Sequence, residues 1–346
     1  MTLLRRARTL LGVLVKDLPT YVPALAGGAR AWLRARNRNE RLEPGPDNLG
    51  YRCDWEWTRE LHAPQHVPAL GRALMRRALA EHPVRRTKTF TPDTSQAPQV
   101  CFVIGHRGQA RLPHLLATLE SIAAQEGARI ECVVVEQDVQ ATLAPHLPAW
   151  VRLIHTPPAD DTVPYCRSWS LNAGTDAAQA PIVILHDNDM LVPADYAAQV
   201  VERMGQGYDA VNLKRFVFYL DADHTRRIFE GQAGLLDEAP GSIVQNLEAG
   251  GSVAITRDAF ERIGGMDESF IGWGGEDNEF WERAQTLRVW PWAYLPIVHL
   301  WHAAQPGKRD AQYQTALHYQ KLRAVDPRER IEALRKIRST RTIARV

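Results

Sequence analysis

The stretch "VCFVIGHRGQARLPHLLATLESIAAQEGARIECVVVEQD", residues 100–138, decides the fold class. Its first part, "VCFVIGH", is a short apolar run with β-branched members, which predicts a buried strand. Apolar residues then recur at helical spacing in "LPHLLATLESIAAQ", and "IECVVVEQD" predicts a second buried strand. Strand, helix and strand in succession form a βαβ unit. We therefore expect an α/β fold with a mostly parallel central sheet flanked by helices.

Polar side chains follow the two predicted strands at the points where they end. His106 and Arg107 follow the first strand, and Glu136, Gln137 and Asp138 follow the second. In open α/β sheets, ligands bind beyond the carboxyl ends of the strands. These residues are therefore candidates for a ligand site.

The rest of the 346-residue chain predicts three regions. Residues 1–95 form a helical N-terminal extension, residues 96–305 the α/β domain, and residues 306–346 a helical, basic C-terminal extension. The net charge is +2, but basic residues concentrate near both ends. Such ends suit a solvated helix face, an anionic lipid surface or a phosphorylated acceptor, and no nucleic acid is needed to explain them.

Cysteine spacing and hydropathy bear on the compartment. The four cysteines show no metal-binding spacing, which is typical of reduced core residues in a cytoplasmic protein. No early apolar run approaches the roughly 20 residues of a membrane-spanning helix. We expect a cytoplasmic protein without a signal peptide. The basic and apolar pattern of "LLRRARTLLGVLV" leaves open a peripheral contact with the inner face of the membrane.

A third strand runs directly into two carboxylates. In "APIVILHDNDMLVP", residues 180–193, the apolar core is followed by Asp187, Asn188 and Asp189. Oxygen ligands of this kind suit Mg²⁺ or Mn²⁺ holding a diphosphate. A turn that merely caps the strand is the structural alternative.

Two histidines follow another apolar run. "PIVHLWH", residues 296–302, places His299 and His302 three residues apart. Imidazole could complete a metal site that the distant carboxylates begin, and the spacing alone does not choose between the two histidines.

The stretch "GWGGEDNEFW", residues 272–281, combines a ring, glycines and acidic residues. Glu276 and Asp277 fall where a helix begins, so they could simply favour the positive end of the helix dipole. The glycines before them also permit the close approach of a ligand, and Trp273 offers a face on which a sugar could stack. A carboxylate beside such a face could accept a proton from a hydroxyl nucleophile.

Four ordered segments resemble the β-1,4-galactosyltransferase family and its bacterial relatives, which have the GT-A glycosyltransferase fold. They are the 100–138 stretch, "YCRSWSLNAG" (165–174), "HDNDMLVP" (186–193) and "GWGGEDNEFWER" (272–283). The resemblance spans about 200 residues and implies that residues 96–305 are the catalytic domain. This sequence departs from the family in having Asn188 in the middle of its DxD segment.

The resemblance implies a role for each matching residue. The nucleotide would lie near His106, Arg107, Glu136 and Asp187; the metal would be bound by Asp189, His302 and His299; the sugars would contact Trp273, Glu276, Gly251, Gly274, Gly275, Arg167 and Asn172; and Asp277 would be the catalytic base. The implied cofactor is manganese or magnesium, and the implied donor is a UDP-sugar.

The resemblance implies an inverting glycosyltransferase. It would move a hexose or N-acetylhexosamine, galactose-type first, to a saccharide or lipid-linked saccharide in bacterial surface polysaccharide or lipopolysaccharide synthesis. Two alternatives stay open. A sugar-nucleotide nucleotidyltransferase would also use acidic metal ligands, but it would not need the Trp-Gly-Gly-Glu-Asp segment. A non-catalytic carbohydrate-binding protein could share the fold.

Overall fold

The computed structural model describes most of the chain. The described residues are 3–35, 43, 45–46, 50–52, 62–93, 95–247, 249–272, 274–304 and 308–344. Trp273, predicted above to bind a sugar, therefore lies outside the described residues.

The main sheet has seven strands in the described part of the chain. Its strands are β2 (Val100–His106), β3 (Ile130–Glu136), β4 (Val151–His155), β5 (Ile182–His186), β7 (Ala210–Val211), β10 (Ser252–Thr256) and β11 (Val289–Trp290). Their order is β11-β7-β10-β5-β2-β3-β4, and β5, β2, β3 and β4 are parallel to one another. The predicted mostly parallel sheet is thus confirmed, with β10 antiparallel to both of its neighbours.

Apolar residues cover both faces of this sheet, as expected for parallel strands. In β2, alternate residues enter two different cores: Phe102 and Ile104 on one face, and Cys101 and Val103 on the other. The flanking helices are α5 (Leu112–Ala123), α6 (Arg167–Ala177), α7 (Tyr196–Gly205), α9 (Arg257–Arg262) and α10 (Glu276–Ala284). Cys101, Cys132 and Cys166 are buried and form no disulfide.

A smaller sheet of four strands lies beside the first in the described residues. Its strands are β6 (Met190–Leu191), β8 (Lys214–Tyr219), β9 (Ser242–Gln245) and β13 (Leu295–His299), in the order β6-β13-β8-β9. β5 belongs to the large sheet and β6 to the small one. Residues 187–189 therefore form the connection where the chain passes from one sheet to the other.

Helices from the N-terminal region pack on the small sheet. They are α1 (Leu3–Leu25), α2 (Ala29–Ala35), α3 (Ala63–His66) and α4 (Pro68–Glu81). Tyr21 and Trp32 share a core with Phe216 and Phe218 of β8. A short pair of strands, β1 (Tyr51–Arg52) and β12 (Trp292–Ala293), also joins this region to the rest, and α8 (Ala222–Phe229) follows β8. The described part of this region contains these four helices, and the assignment of residues 1–95 as a separate helical extension stays a prediction.

Two helices end the described chain, α11 (Lys308–Arg323) and α12 (Pro327–Ala344). Both pack against α10. The buried Arg330 of α12 contacts Glu279 and Glu282 of α10, at 3.3 and 2.8 Å. The C-terminal helices thereby support the helix that begins at Glu276.

Helix α6 lies close to β2 and β3 because Gly174 has no side chain. A Cβ atom at Gly174 would lie 2.3 Å from Cγ1 of Val103 and 3.1 Å from Cγ2 of Val135. We predict that Gly174→Ala lowers the free energy of unfolding by about 1–3 kcal/mol, because neither branched neighbour can move away inside a packed core.

The matched control is Gly205→Ala, at the end of α7. No atom lies within 4 Å of a Cβ built at Gly205, so this change should be neutral or stabilising by up to about 1 kcal/mol. Urea denaturation of both variants measures the difference. Equal stabilities would contradict the packing described for α6.

Candidate functional site

Most of the sequence-predicted residues meet at one cavity of about 800 Å³. The cavity lies between the carboxyl ends of β2 and β5, the connection at residues 187–189, the end of β13 and the N-terminus of α10. Its walls include the following candidates: Arg107, Arg167, Asp187, Asp189, Gly251, Gly274, Gly275, Glu276, Asp277, His299 and His302. Residues almost 200 positions apart in sequence are therefore brought to one site.

The guanidinium of Arg167 joins two carboxylates at the centre of the cavity. Its Nε donates to Oδ1 of Asp187 at 2.8 Å, and its Nη1 donates to Oδ1 of Asp277 at 2.5 Å. Burial alone would lower the pKa of Arg167, but Asp187 and Asp277 outweigh that effect and raise it. Arg167 therefore remains charged and links the end of β5 to the start of α10.

Asp277 approaches the backbone at Gly250 very closely. A Cβ atom at Gly250, where φ is +75°, would lie 2.8 Å from Oδ2 of Asp277. Burial raises the pKa of Asp277 and Asp187 raises it further, while Arg167 and Lys214 act in the opposite direction. A carboxylate whose pKa is raised is a better proton acceptor than an ordinary one.

Glu276 lies beside Asp277 in the first turn of α10. Its Oε2 accepts a hydrogen bond from the backbone N–H of Gly274 at 3.0 Å, and only 5% of the residue is exposed. Burial, with Asp277 as the next cause, raises the pKa of Glu276 to about 7. Its neutral form is thus populated near neutral pH.

Asp189, His299 and His302 form a cluster that could hold a metal ion. One ligand atom from each residue lies within 4.8 Å of the others, and among the described residues no other group of three or more His, Cys, Asp or Glu meets this condition. Pairing of β6 with β13 sets Met190 opposite His299, which brings Asp189 beside the two histidines. Nε2 of His302 lies 3.3 Å from Oδ2 of Asp189, and Nε2 of His299 lies 3.7 Å from Oδ1.

The donor atoms of this cluster fit a divalent cation. Nδ1 of His302 donates to the carbonyl oxygen of Ala303 at 2.9 Å, so the lone pair of Nε2 faces the carboxylate. Burial lowers the pKa of His302, which favours the neutral imidazole that binds metals. Burial opposes ionisation of Asp189, but His299, Arg111 and His302 together lower its pKa. One carboxylate and two imidazoles suit Mn²⁺ better than Mg²⁺.

Three predicted residues, His106, Glu136 and Asn172, do not line the cavity. His106 is buried, and burial lowers its pKa to about 4, so its ring is neutral. Its Nδ1 accepts a hydrogen bond from Nδ2 of Asn188 at 3.0 Å, and its Nε2 donates to the carbonyl oxygen of Gly108. Glu136 accepts from the backbone N–H groups of Thr142 and Leu143. Asn172 bonds to both backbone groups of Met266. Their predicted ligand contacts remain predictions.

Two charged residues of the site were missed by the sequence reading. Nη2 of Arg111 donates to Oδ2 of Asp189 at 2.7 Å, from a turn just before α5. Lys214 of β8 is fully buried; its Nζ donates to the carbonyl oxygen of Ser252 at 2.5 Å, and burial lowers its pKa to about 7. A lysine inside the apolar run "VNLKRFVFYL" was a usable signal for Lys214, whereas nothing in the sequence set Arg111 apart.

Comparison with known families gives two matches in the region of the site. Residues 110–264 match the model described as glycosyl transferase family 2, and residues 245–290 match the one described as the N-terminal domain of galactosyltransferase. Together they run from residue 110 to residue 290. The second match contains Gly250, Gly251 and the entire segment from Gly272 to Trp281.

Comparison with individual proteins gives no curated match and a weak structural likeness. No curated protein matches the chain. One similar solved structure is "Mannosyltransferase PcManGT from Pyrobaculum calidifontis in complex with GDP-Man and Mn2+", with 18% identity, a TM-score of 0.43, and coverage of 79% of this chain and 78% of that chain. A likeness at this TM-score does not bear on the ligands of the present chain.

Glu276 should make stability depend on pH. The pKa of Glu276 is about 7 in the folded protein, and 4.5 is the value of an unperturbed glutamate, which applies to the unfolded chain. The stability due to its neutral form is fully present below pH 4.5 and is lost as the pH rises through 7. Relative to Glu276→Gln, the wild type should lose roughly 3 kcal/mol of unfolding free energy between pH 4.5 and 8. Urea denaturation across this range measures the loss, and parallel curves for the two proteins would contradict it.

The metal cluster predicts which side chains matter for manganese binding. Asp189→Asn and His302→Ala should each weaken Mn²⁺ binding by roughly tenfold or more, since the first removes the negative charge of the carboxylate and the second removes an imidazole. Titration followed by electron paramagnetic resonance of free Mn²⁺ measures the affinity. His146→Ala, which removes an exposed histidine outside the cavity, is the control and should bind like the wild type. Unchanged binding in both ligand variants would exclude this site, and His299→Ala tests the second imidazole.

Proposed function

We propose that the chain is a galactosyltransferase-like GT-A enzyme that transfers a sugar from a UDP-sugar to a saccharide hydroxyl with inversion at the anomeric carbon. The family matches over residues 110–290 support this proposal. The transferred sugar is a hexose or N-acetylhexosamine, with galactose as the first candidate. The acceptor is a saccharide or lipid-linked saccharide in bacterial surface polysaccharide or lipopolysaccharide synthesis. The proposed location is the cytoplasm, including the inner face of the membrane.

One observation carries this proposal. A carboxylate with a raised pKa, Asp277, shares a single cavity with the Asp189, His299 and His302 cluster. The first group can accept a proton, and the second can hold a cation beside a diphosphate. Inverting transfer needs both functions within one substrate length, and it needs no nucleophilic side chain.

Asp277 is proposed to remove the proton from the acceptor hydroxyl. The hydroxyl oxygen then attacks the anomeric carbon, the bond between that carbon and the diphosphate oxygen breaks, and the proton remains on Asp277. Arg167 fixes the direction of the carboxylate, because its Nη1 holds Oδ1 and leaves Oδ2 facing Gly250. A fixed base loses little freedom in the transition state.

Glu276 and the glycines before it are proposed to bind the acceptor sugar. A neutral carboxyl group can both donate and accept a hydrogen bond, which suits a sugar hydroxyl. Gly275 is the N-cap residue before α10, with a φ of +93°, and a Cβ there would lie 3.0 Å from Phe270 and Tyr319. Gly274 and Gly275 both line the cavity.

Asp189, His299 and His302 would hold the metal ion, manganese first and magnesium second. When bound, such an ion neutralises the negative charge of the leaving diphosphate. Arg107 and Asp187 are proposed to face the nucleotide from the ends of β2 and β5. Nη1 of Arg107 donates to the carbonyl oxygen of Val163 at 2.6 Å, and Arg107 lines the cavity.

The reaction predicts the effect of removing the base. Asp277→Asn keeps the shape and the contact with Arg167 but cannot accept the proton, so turnover should fall by roughly 10²–10⁴. The measurement is the release of UDP from a panel of UDP-sugars with Mn²⁺, with and without saccharide acceptors.

The matched control is Asp258→Asn. Asp258 also lies in the first turn of a helix, α9, but its side chain is 82% exposed and lies outside the cavity. Its turnover should stay within about twofold of the wild type. Full activity in Asp277→Asn would refute the assigned base. No turnover by the wild type with any donor would favour a carbohydrate-binding protein. Formation of UTP and sugar 1-phosphate from a UDP-sugar and pyrophosphate would favour a nucleotidyltransferase.

A further inference from the structure

Helix α1 exposes a stripe of apolar side chains. Leu11, Val15, Leu18 and Val22 are 64, 69, 38 and 54% exposed. Their spacing of four, three and four residues places them along one side of the helix. With Leu10, this helix carries five of the eleven large exposed apolar side chains among the described residues. The apolar surface is therefore concentrated on one element and is not scattered.

Another face of the same helix is packed against the enzyme. Val13, Asp17, Tyr21 and Ala24 are all buried. Oδ2 of Asp17 accepts a hydrogen bond from the backbone N–H of Ala63 at 2.6 Å, and Oη of Tyr21 accepts from Nε2 of Gln245 at 2.9 Å. Helix α1 is thus held in place, and its apolar stripe is directed outward by these contacts.

The charged residues of α1 are basic with one exception. The exception is Asp17, which is buried. The basic residues in the sequence of α1 are Arg5, Arg6, Arg8 and Lys16, and Arg8 and Lys16 are exposed. A helix that combines an exposed apolar stripe with basic residues and no exposed acid has the composition of an interfacial helix. Among the described helices, none is both long and apolar enough to cross a bilayer.

We propose that this face of α1 docks the enzyme on a lipid bilayer that carries anionic headgroups. The apolar stripe enters the headgroup region, and Arg8 and Lys16 contact the negative surface. The basic residues of α1 would strengthen binding to a protein partner or to a second copy of the chain only if the contacting surface of that partner were acidic.

The docked helix is connected directly to the cavity wall. Gln245, which bonds to Tyr21, ends β9, and Ser242 and Val244 of the same strand line the cavity. A strand that contacts both the docking helix and the site would keep the cavity at a fixed distance from the bilayer. This point rests on the proposed function, because it assumes a lipid-linked acceptor; the docking itself does not.

Sedimentation with vesicles tests the docking. The full chain should bind vesicles of phosphatidylglycerol and phosphatidylcholine, and bind vesicles of phosphatidylcholine alone much more weakly. Leu11→Glu combined with Val15→Glu should reduce binding to the anionic vesicles at least tenfold, because it places charge in the stripe. Arg8→Gln combined with Lys16→Gln should reduce it roughly 25-fold, about fivefold for each charge.

The matched control adds the same two charges elsewhere. Val325→Glu combined with Ile337→Glu changes side chains that are 37 and 51% exposed outside α1, and this variant should bind vesicles like the wild type. Circular dichroism confirms that each variant is folded. UDP release without vesicles should be equal in the wild type and the α1 variants, so a failure of docking is distinguishable from a failure of the proposed chemistry.

Two results would overturn the proposal. One is equal vesicle binding by the wild type, the α1 variants and the control. The other is a wild type that binds no vesicles but is a dimer by analytical ultracentrifugation and becomes a monomer on Leu11→Glu with Val15→Glu, which would assign the stripe to self-association.

Discussion

The site depends on one interaction, the contact of the Arg167 guanidinium with the carboxylates of Asp187 and Asp277. Two acidic groups that approach one buried region repel each other, and both are costly to desolvate. A cation between them reverses that balance and fixes both directions at once. The end of β5 and the start of α10 are thereby held together, although 90 residues separate them in sequence. Arg167, Asp187 and Asp277 all line the cavity, so this contact fixes part of its wall.

The two sheets determine where the second half of the site lies. Asp187 directly follows β5 of the large sheet, and Asp189 directly precedes β6 of the small sheet. The connection between the two strands therefore leaves regular strand geometry. His106 holds Asn188 in the middle of this connection. Pairing of β6 with β13 then sets Asp189 beside His299 and His302. The juxtaposition of Asp189, His299 and His302 is therefore a consequence of strand pairing in the small sheet.

Much of this arrangement could be predicted from the sequence, and the reasons are physical. Strands buried on both faces give continuous apolar runs, so β2, β3 and β5 were visible, and polar residues directly after them marked the ligand edge. The antiparallel β10 and the small sheet were not predicted, because short strands such as β6 leave no periodic signal. Arg111 and Lys214 were missed since their roles depend on contacts across the fold. Arg167 was found only through its family segment, and its link between two carboxylates required the structure.

The central claim is that Asp277 supports a direct displacement at the anomeric carbon. The most direct measurement is proton NMR of the sugar first released when water replaces the acceptor, using the UDP-α-sugar that supports turnover. A single displacement predicts that the β anomer appears first and the α anomer follows by mutarotation. First appearance of the α anomer would contradict this account.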